Sequence, residues 1–295
     1  MRGVMPPNML QFDTLSFGPE ASALMVQGKG GRVLAVLRNA LYLESAGGYV
    51  VAIVDEHAED GPLTIRIHNL PALLGAISPH PGATFRATER AIEIQGLAHV
   101  RWAGKPWVPH LPRRVGEGAA ILVACDALAQ IIAIPEVEPV ALRLTARLAE
   151  FHHTMMEDRI PRAIEAISGL LGLGPGLTPS GDDIAMGLLA SLVWQARLGS
   201  VSDRLVCSLA GAVREVAPSR TNRISARLLY YAGEGVLYAP ALELGEALLA
   251  GEPSMLHDTA RRLCSIGNTT GVDVATGLLA GITLGLSLPQ PHEKG

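Results

Sequence analysis

The chain has 295 residues, of which 48% are hydrophobic, 18% charged and 4% aromatic, with a formal net charge of −4. This length suits two domains or one large one, with a core built mainly from Leu, Ile, Val and Ala. The slightly acidic balance excludes a broad nucleic-acid footprint, which needs a basic face, but leaves room for a small anion held by a few local arginines.

The first stretch, MRGVMPPNMLQFDTLSFGPE, lacks the apolar run of a secretory leader. From about residue 20 to 120 the texture is that of strands: ASALMVQ, GRVLAVLR, ALYLES, GYVVAIV, PLTIRIH, ATFRAT, AIEIQG and AHVRWAG, parted by Gly-, Pro- and Asp-rich turns. Short runs with frequent turns predict an antiparallel sheet or small barrel. LPALLGAI reads as one helix inserted in it, and Glu56, His57, Glu59 and Asp60 as an exposed turn.

Beyond residue 122 the period changes. ILVACDALAQIIAI suits a helix or a buried strand, and the run from Pro139 to Gly172 a helix in which Pro161 is a kink or a new first turn. Helices are predicted over 182–197, 201–216, 222–233, 240–250, 254–266 and 271–286. The expected fold is α+β: a β-rich domain over 1–120, then a mostly α-helical domain over 121–295. No repeat of fixed period is visible. DDIAMGLLASLVWQ is apolar almost all round and should be central. Gly277, Gly281 and Gly285 form a smooth stripe. Each Gly costs about 1 kcal/mol against Ala in a helix, so a neighbour must approach closely there. VATGLLAGITLGLSLPQP is uncharged but short and ends in prolines, which predicts a buried helix rather than a membrane span. Cys125, Cys207 and Cys264 are far apart and form no CxxC pair, as expected of buried reduced thiols in a cytoplasmic protein.

GLGPGLTPSGDD (Gly172 to Asp183) mixes residues that permit positive φ with residues that fix φ. Such a loop before a helix can aim its N–H groups at one anion. Thr178 and Ser180 add hydroxyls. The segment is neither a P-loop nor a dinucleotide fingerprint, because no Gly-Lys-Ser/Thr follows and helix rather than strand precedes. Asp182 and Asp183 complicate an anion site. They suit plain complements to the helix dipole, ligands for Mg²⁺, or acceptors for an amide NH₂. A second segment, PSRTNRIS, places Arg220 and Arg223 about a helix start with Thr221 or Asn222 as its cap; the arginines suit phosphate or carboxylate, or plain solvent. A third, SIGNTTGVDVATG, offers Asn268, Thr269 and Thr270, with Asp273 in the first turn. Three polar turns feeding helices predict convergence on one cleft. His152, His153 and Glu157 include an i,i+4 pair but lack a third metal ligand. No Gly-x-Ser-x-Gly elbow or HExxH run occurs.

At these three segments the chain resembles a bacterial family long described as a domain of unknown function, with the signature LGxGPGLTPSGDD, then T-N/T-R-I-S, then IGxTSGxD. Here they stand as LGLGPGLTPSGDD, TNRIS and IGNTTGVD, with Thr270 at the usual Ser. The resemblance covers about residues 165–285. One branch of the family is a subunit of oxamate carbamoyltransferase, which acts in anaerobic allantoin breakdown with partner subunits. The resemblance therefore implies transfer of a carbamoyl group between oxamate nitrogen and phosphate. Gly174, Gly176, Thr178, Ser180 and Gly181 would then bind the anion, and Arg220 and Arg223 neutralise it. Asp182 or Asp183 would orient the NH₂ group or a metal, Asp273 would assist, and Asn222, Asn268, Thr269 and Thr270 would complete the site. It also implies other subunits or a homo-oligomer as partners, with no nucleic acid, no membrane and no firm cofactor beyond possible Mg²⁺. Two other functions fit the same residues: a non-catalytic ligand-binding or assembly subunit, and a Mg²⁺-dependent phosphotransferase or hydrolase.

Overall fold

The computed structural model describes residues 9–132 and 139–289. The chain divides into two compact units, Met1–Val108 and Pro109–Gly295. The ends of several predicted segments, at 1–8, 133–138 and 290–295, lie outside the described residues.

The first unit runs β1 (Leu10–Phe17), α1 (Pro19–Gln27), β2 (Gly30–Val36), β3 (Ala40–Ser45), β4 (Val50–Asp55), β5 (Thr64–Ile67), α2 (Leu70–Ile77), β6 (Thr84–Ala87), β7 (Ala91–Ile94), β8 (Ala98–Arg101) and β9 (Lys105–Pro106). Neighbouring strands follow the order β5-β4-β3-β2-β6-β7-β8-β1, and β1 pairs back onto β5 to close an eight-stranded barrel. Strand β1 divides its length to do this. Leu10–Asp13 lie parallel to β8, whereas Thr14–Phe17 lie antiparallel to β5, with a bulge between Thr14 and Ser16 at the changeover. Closure pairs the ends of the eight-stranded sheet with each other, and the two-residue β9 lies outside it, parallel to β1 at Ser16 and Phe17. Leu41, Leu43, Ile53, Ile65, Ile67, Ile92 and Val100 fill the core together with Leu24 of α1 and Leu73 of α2.

Helix α1 corrects the strand predicted at ASALMVQ. Pro19 stands in its first turn, and Gly28 ends it in the left-handed region at φ 58, so local start and stop signals outweigh the β-leaning composition of a short run. Strand β1 is an addition, since strand texture was read only from about residue 20. Its Asp13 is polar for a strand and is held by Arg101 on β8, at 2.6 and 2.8 Å.

The second unit runs α3 (Gly118–Ile131), α4 (Pro139–Met156), α5 (Ile160–Ser168), α6 (Ser180–Arg197), α7 (Asp203–Arg220), α8 (Arg223–Ala232), α9 (Ala239–Ala250), a 3₁₀ turn (Pro253–Met255), α10 (Leu256–Cys264) and α11 (Thr270–Ser287). The α+β class and the order of sheet-rich and helical parts stand as expected. ILVACDALAQI is helix, and Pro161 opens α5 rather than kinking one long helix. Helix α7 continues through Pro218 to Arg220, beyond its predicted end. Cys125 is buried and its thiol is pushed up to about 11 by burial; Cys207 is exposed and Cys264 half-buried, which corrects the expectation of three buried thiols.

Helix α6 is buried without interruption from Gly181 to Ala196 and is central, as its all-round apolar character requires. Its partner is α11, the helix long and apolar enough by composition to span a membrane, here packed on α6. The two meet on glycine. A Cβ on Gly277 would stand 2.1 Å from the Ile184 carbonyl oxygen; one on Gly187 would stand 2.1 Å from that of Val274. Further along, Gly281 lies against Ser191 and Leu188, and Gly285 against Gln195. Positions rise together on both helices, so the pair is parallel and both N-termini lie at one end. Gln195 Nε2 ties the seam by donating to the Gly281 carbonyl at 2.9 Å.

These contacts reveal a duplication. Residues 180–192 and 270–282 are identical at seven positions (Gly, Asp, Ala, Gly, Leu, Leu, Ala). Gly187 meets Val274 and Leu278 where Gly277 meets Ile184 and Leu188. The lead-ins match too: the Gly181 amide donates to Leu173 O at 2.8 Å and the Gly271 amide to Ile266 O at 3.1 Å. A Cβ on Gly181 would stand 1.9 Å from Leu170 O, and one on Gly271 1.8 Å from Leu263 O. Loop–α6 and loop–α11 are two copies of one unit about a pseudo-two-fold axis. One duplication with unequal loops has no fixed period, which is why the sequence shows none.

Candidate functional site at three helix starts

The three polar turns meet. Thr178 Oγ1, before α6, is 2.8 Å from Thr270 Oγ1 at the start of α11. Asn222 Nδ2, at the cap of α8, donates to the Leu177 carbonyl at 2.8 Å. Ser225 Oγ donates to that same carbonyl at 3.3 Å, and Thr221 Oγ1 donates to Asp182 Oδ2. Asn222 also caps α8, accepting from the amides of Ile224 and Ser225 at 3.0 and 3.1 Å.

The adjacent aspartates have different environments. Asp182 is fully buried and consumed: Oδ1 accepts from the Gly172 amide at 2.7 Å and Oδ2 from Thr221. It fastens the signature loop to the α7–α8 turn. Burial raises its pKa, and the bonds from Thr221 and Gly172 oppose the rise. Asp183 is also fully buried, yet neither of its oxygens has a hydrogen-bond partner. Burial pushes its pKa well above the usual carboxylate range, and the charge of Asp273 adds to the push. The hydroxyls of Thr270 and Thr178 lie beside it and moderate the rise, although their hydrogen bond is to each other. Asp273 repeats the pattern at the start of α11. It is half-buried, its Oδ2 lacks a partner, and burial raises its pKa against the opposing Ser180 and Thr269 hydroxyls.

The loop amides divide as well. Those of Gly172 and Gly181 are taken by Asp182 and Leu173. Those of Gly174, Gly176 and Thr178 have no acceptor among the described residues. Gly174 and Gly176 hold φ of 116 and 98, values that exclude most side chains. Arg220 and Arg223 stand exposed on either side of the α7–α8 turn, and Asn268 and Thr269 are exposed before α11. Ser225 and Thr221 were not predicted as site residues, although both lie in or beside TNRIS. Their contribution is positional and depends on a fold that brings residue 221 to residue 182.

The remaining candidates lie elsewhere. His153 pairs with Glu157 at 3.5 Å, and His152 borders an apolar groove of about 280 Å³ between α4, α6 and α11. In the barrel unit Asp55, Glu56 and His57 cluster within 4.8 Å. The expected exposed turn is largely half-buried there: Asp60 pairs with Ser16 and Arg66, while Glu56 and the neighbouring Asp55 are engaged at the start of α2. Glu56 Oε2 accepts from the Asn69 amide at 2.9 Å and Asp55 Oδ2 from that of Leu70 at 3.3 Å. The Asn69 amide is the main reason that the Glu56 carboxyl is lowered to about 2.

Residues 170–282 match the family model described as oxamate carbamoyltransferase subunit AllH. The matched span contains all three turns and both copies of the duplicated unit, and bears out the family resemblance carried by the motifs. No solved structure matches the chain.

Proposed function

We propose that the chain is a subunit of an oxamate carbamoyltransferase-like enzyme that binds a small carbamoyl-bearing or phosphate anion at its converging helix starts. The observation that carries this is the family match, which spans all three turns. The unpartnered amides of Gly174, Gly176 and Thr178 would receive anionic oxygens, helped by the α6 dipole. Arg220 and Arg223 would neutralise charge that grows on phosphate as it departs. Asp183 or Asp273 would orient the carbamoyl NH₂ group or hold a metal beside it, roles closed to Asp182 by its internal bonds. Attack by the oxamate nitrogen on a carbamoyl carbon needs no covalent nucleophile from the protein. Other subunits of the enzyme, and a cytoplasmic setting, belong to the same proposal.

The test is phosphate release from carbamoyl phosphate and oxamate, with the purified chain and with its co-purified subunits. Turnover should require the complex and fall at least about tenfold in Arg220→Ala or Arg223→Ala. An oxamate-independent rate, or one unchanged in both variants, would remove the proposal. A second reading, a non-catalytic assembly subunit, draws on the engagement of Asp182, Thr221 and Asn222 in ties between the turns. It expects the arginine variants to alter complex formation and not the rate per assembled complex.

A further inference from the structure

We infer that Asp183 and Asp273 are the two carboxylate ligands of one hard divalent cation, of the Mg²⁺ or Mn²⁺ kind, seated between the starts of α6 and α11. Three observations lead there. Asp183 is fully buried with both oxygens unpartnered, and the Asp273 Oδ2 is buried and unpartnered too. A buried carboxylate without partners is a group the fold leaves for something absent from the chain. The side chains set against them bring oxygen donors: the Thr178 and Thr270 hydroxyls beside Asp183, the Ser180 and Thr269 hydroxyls beside Asp273. An all-oxygen donor set selects hard cations over zinc or copper. The two acids also occupy equivalent places in the duplicated unit, so a ligand on the pseudo-two-fold axis meets both alike.

Charge arithmetic supports a cation. Two helix N-termini supply roughly half a positive charge each, against two negative charges on the acids. With both acids ionised about one negative charge is left over, which the burial of Asp183 disfavours. A divalent ion reverses the local sign to about one positive. The same turns then attract an anion instead of repelling it, which removes the conflict between paired aspartates and an anion-binding loop. The cation site stands without the carbamoyl proposal; only this last step rests on it.

The test uses Mn²⁺ and the full chain. Calorimetry and the Mn²⁺ electron paramagnetic resonance signal should show one ion per chain, weakened about a hundredfold or more in Asp183→Asn and in Asp273→Asn. Glu56→Gln, at the other acidic cluster, should bind as the wild type does. Mg²⁺ should raise the melting temperature of the wild type and of neither aspartate variant. Should Asp183→Asn not fold, Asp273→Asn at its half-buried position gives the same readouts. Absence of Mn²⁺ binding at millimolar concentration, or binding by both aspartate variants as tight as the wild type's, overturns the inference. Oxamate and phosphate are then titrated into the Mn²⁺-loaded protein. If neither binds there, the proposed function falls while the cation site stands.

Discussion

The starts of α6 and α11 are two answers to one packing problem. Both carry a Ser/Thr-Gly-x-Asp turn, both lay glycine against the other helix, and both place an acid in the first turn. They differ in what surrounds that framework. Before α6 five residues separate Gly174 from Ser180; before α11 only Asn268 and Thr269 separate Gly267 from Thr270. The first copy also carries Asp182 where the second has Val272, and Asp182 binds its loop to the α7–α8 turn. One copy has become an anchored loop with spare amides, while the other kept a short, exposed approach. What the copies share is the glycine seam and the acid; what distinguishes them is everything that would recognise an anion.

The strongest way to break this comparison is at the seam. Gly187→Ala and Gly277→Ala should each destabilise by about 3 kcal/mol or more, because the new methyl meets backbone rather than a movable side chain. Urea unfolding should give similar losses for the two, and unequal losses would contradict the pseudo-symmetry. Next, Asp182→Ala should cost about 2 kcal/mol by orphaning the Gly172 amide and the Thr221 hydroxyl, while Val272→Ala, half-buried and without polar duties, should cost less than about 1 kcal/mol. Asn222→Ala should cost about 1 kcal/mol through the lost α8 cap. Loss of its bond to Leu177 should also speed exchange of the bonded loop amides of Gly172 and Gly181 more than that of Gly271.

The smallest effect concerns pH. Asp183 is raised by burial and by Asp273, and Asp273 by burial. A raised acid contributes stability that is fully present below the unfolded value of 3.8 and is lost as pH rises through the folded value. In metal-free protein the stability of Asp183→Asn relative to wild type should therefore improve as pH rises above 3.8. The groups set against Asp183 are Asp273 on α11 and Asp182 beside it, with the Thr178 and Thr270 hydroxyls opposing. A difference that stays flat from pH 4 to 8 in denaturation curves would mean that neither burial nor Asp273 raises Asp183 in the folded protein.

Much of this was legible from residue order alone. The run from Asp182 to Gln195 lacks a polar face, and that required α6 to be central. The stripe at 277, 281 and 285 required a close neighbour, and the neighbour is α6. The three polar turns were predicted to converge, and their hydroxyls and amides touch. What could not be read is which of two adjacent aspartates would be consumed. That depends on Thr221, 39 residues away. The duplication was hidden because an unequal loop displaces the glycines that would otherwise register. In the barrel, local signals for α1 were present at Pro19 and Gly28, but the short run ASALMVQ is ambiguous between the two periods.

The glycine seam sets more than a packing energy. At Gly187 and Gly277 the gap between α6 and α11 is gauged by main chain touching main chain. The two acids sit one turn beyond that contact, so their separation is held as by a caliper, and breathing of side chains cannot widen it. A cation held between the two acids would therefore meet donors whose spacing is set by the backbone.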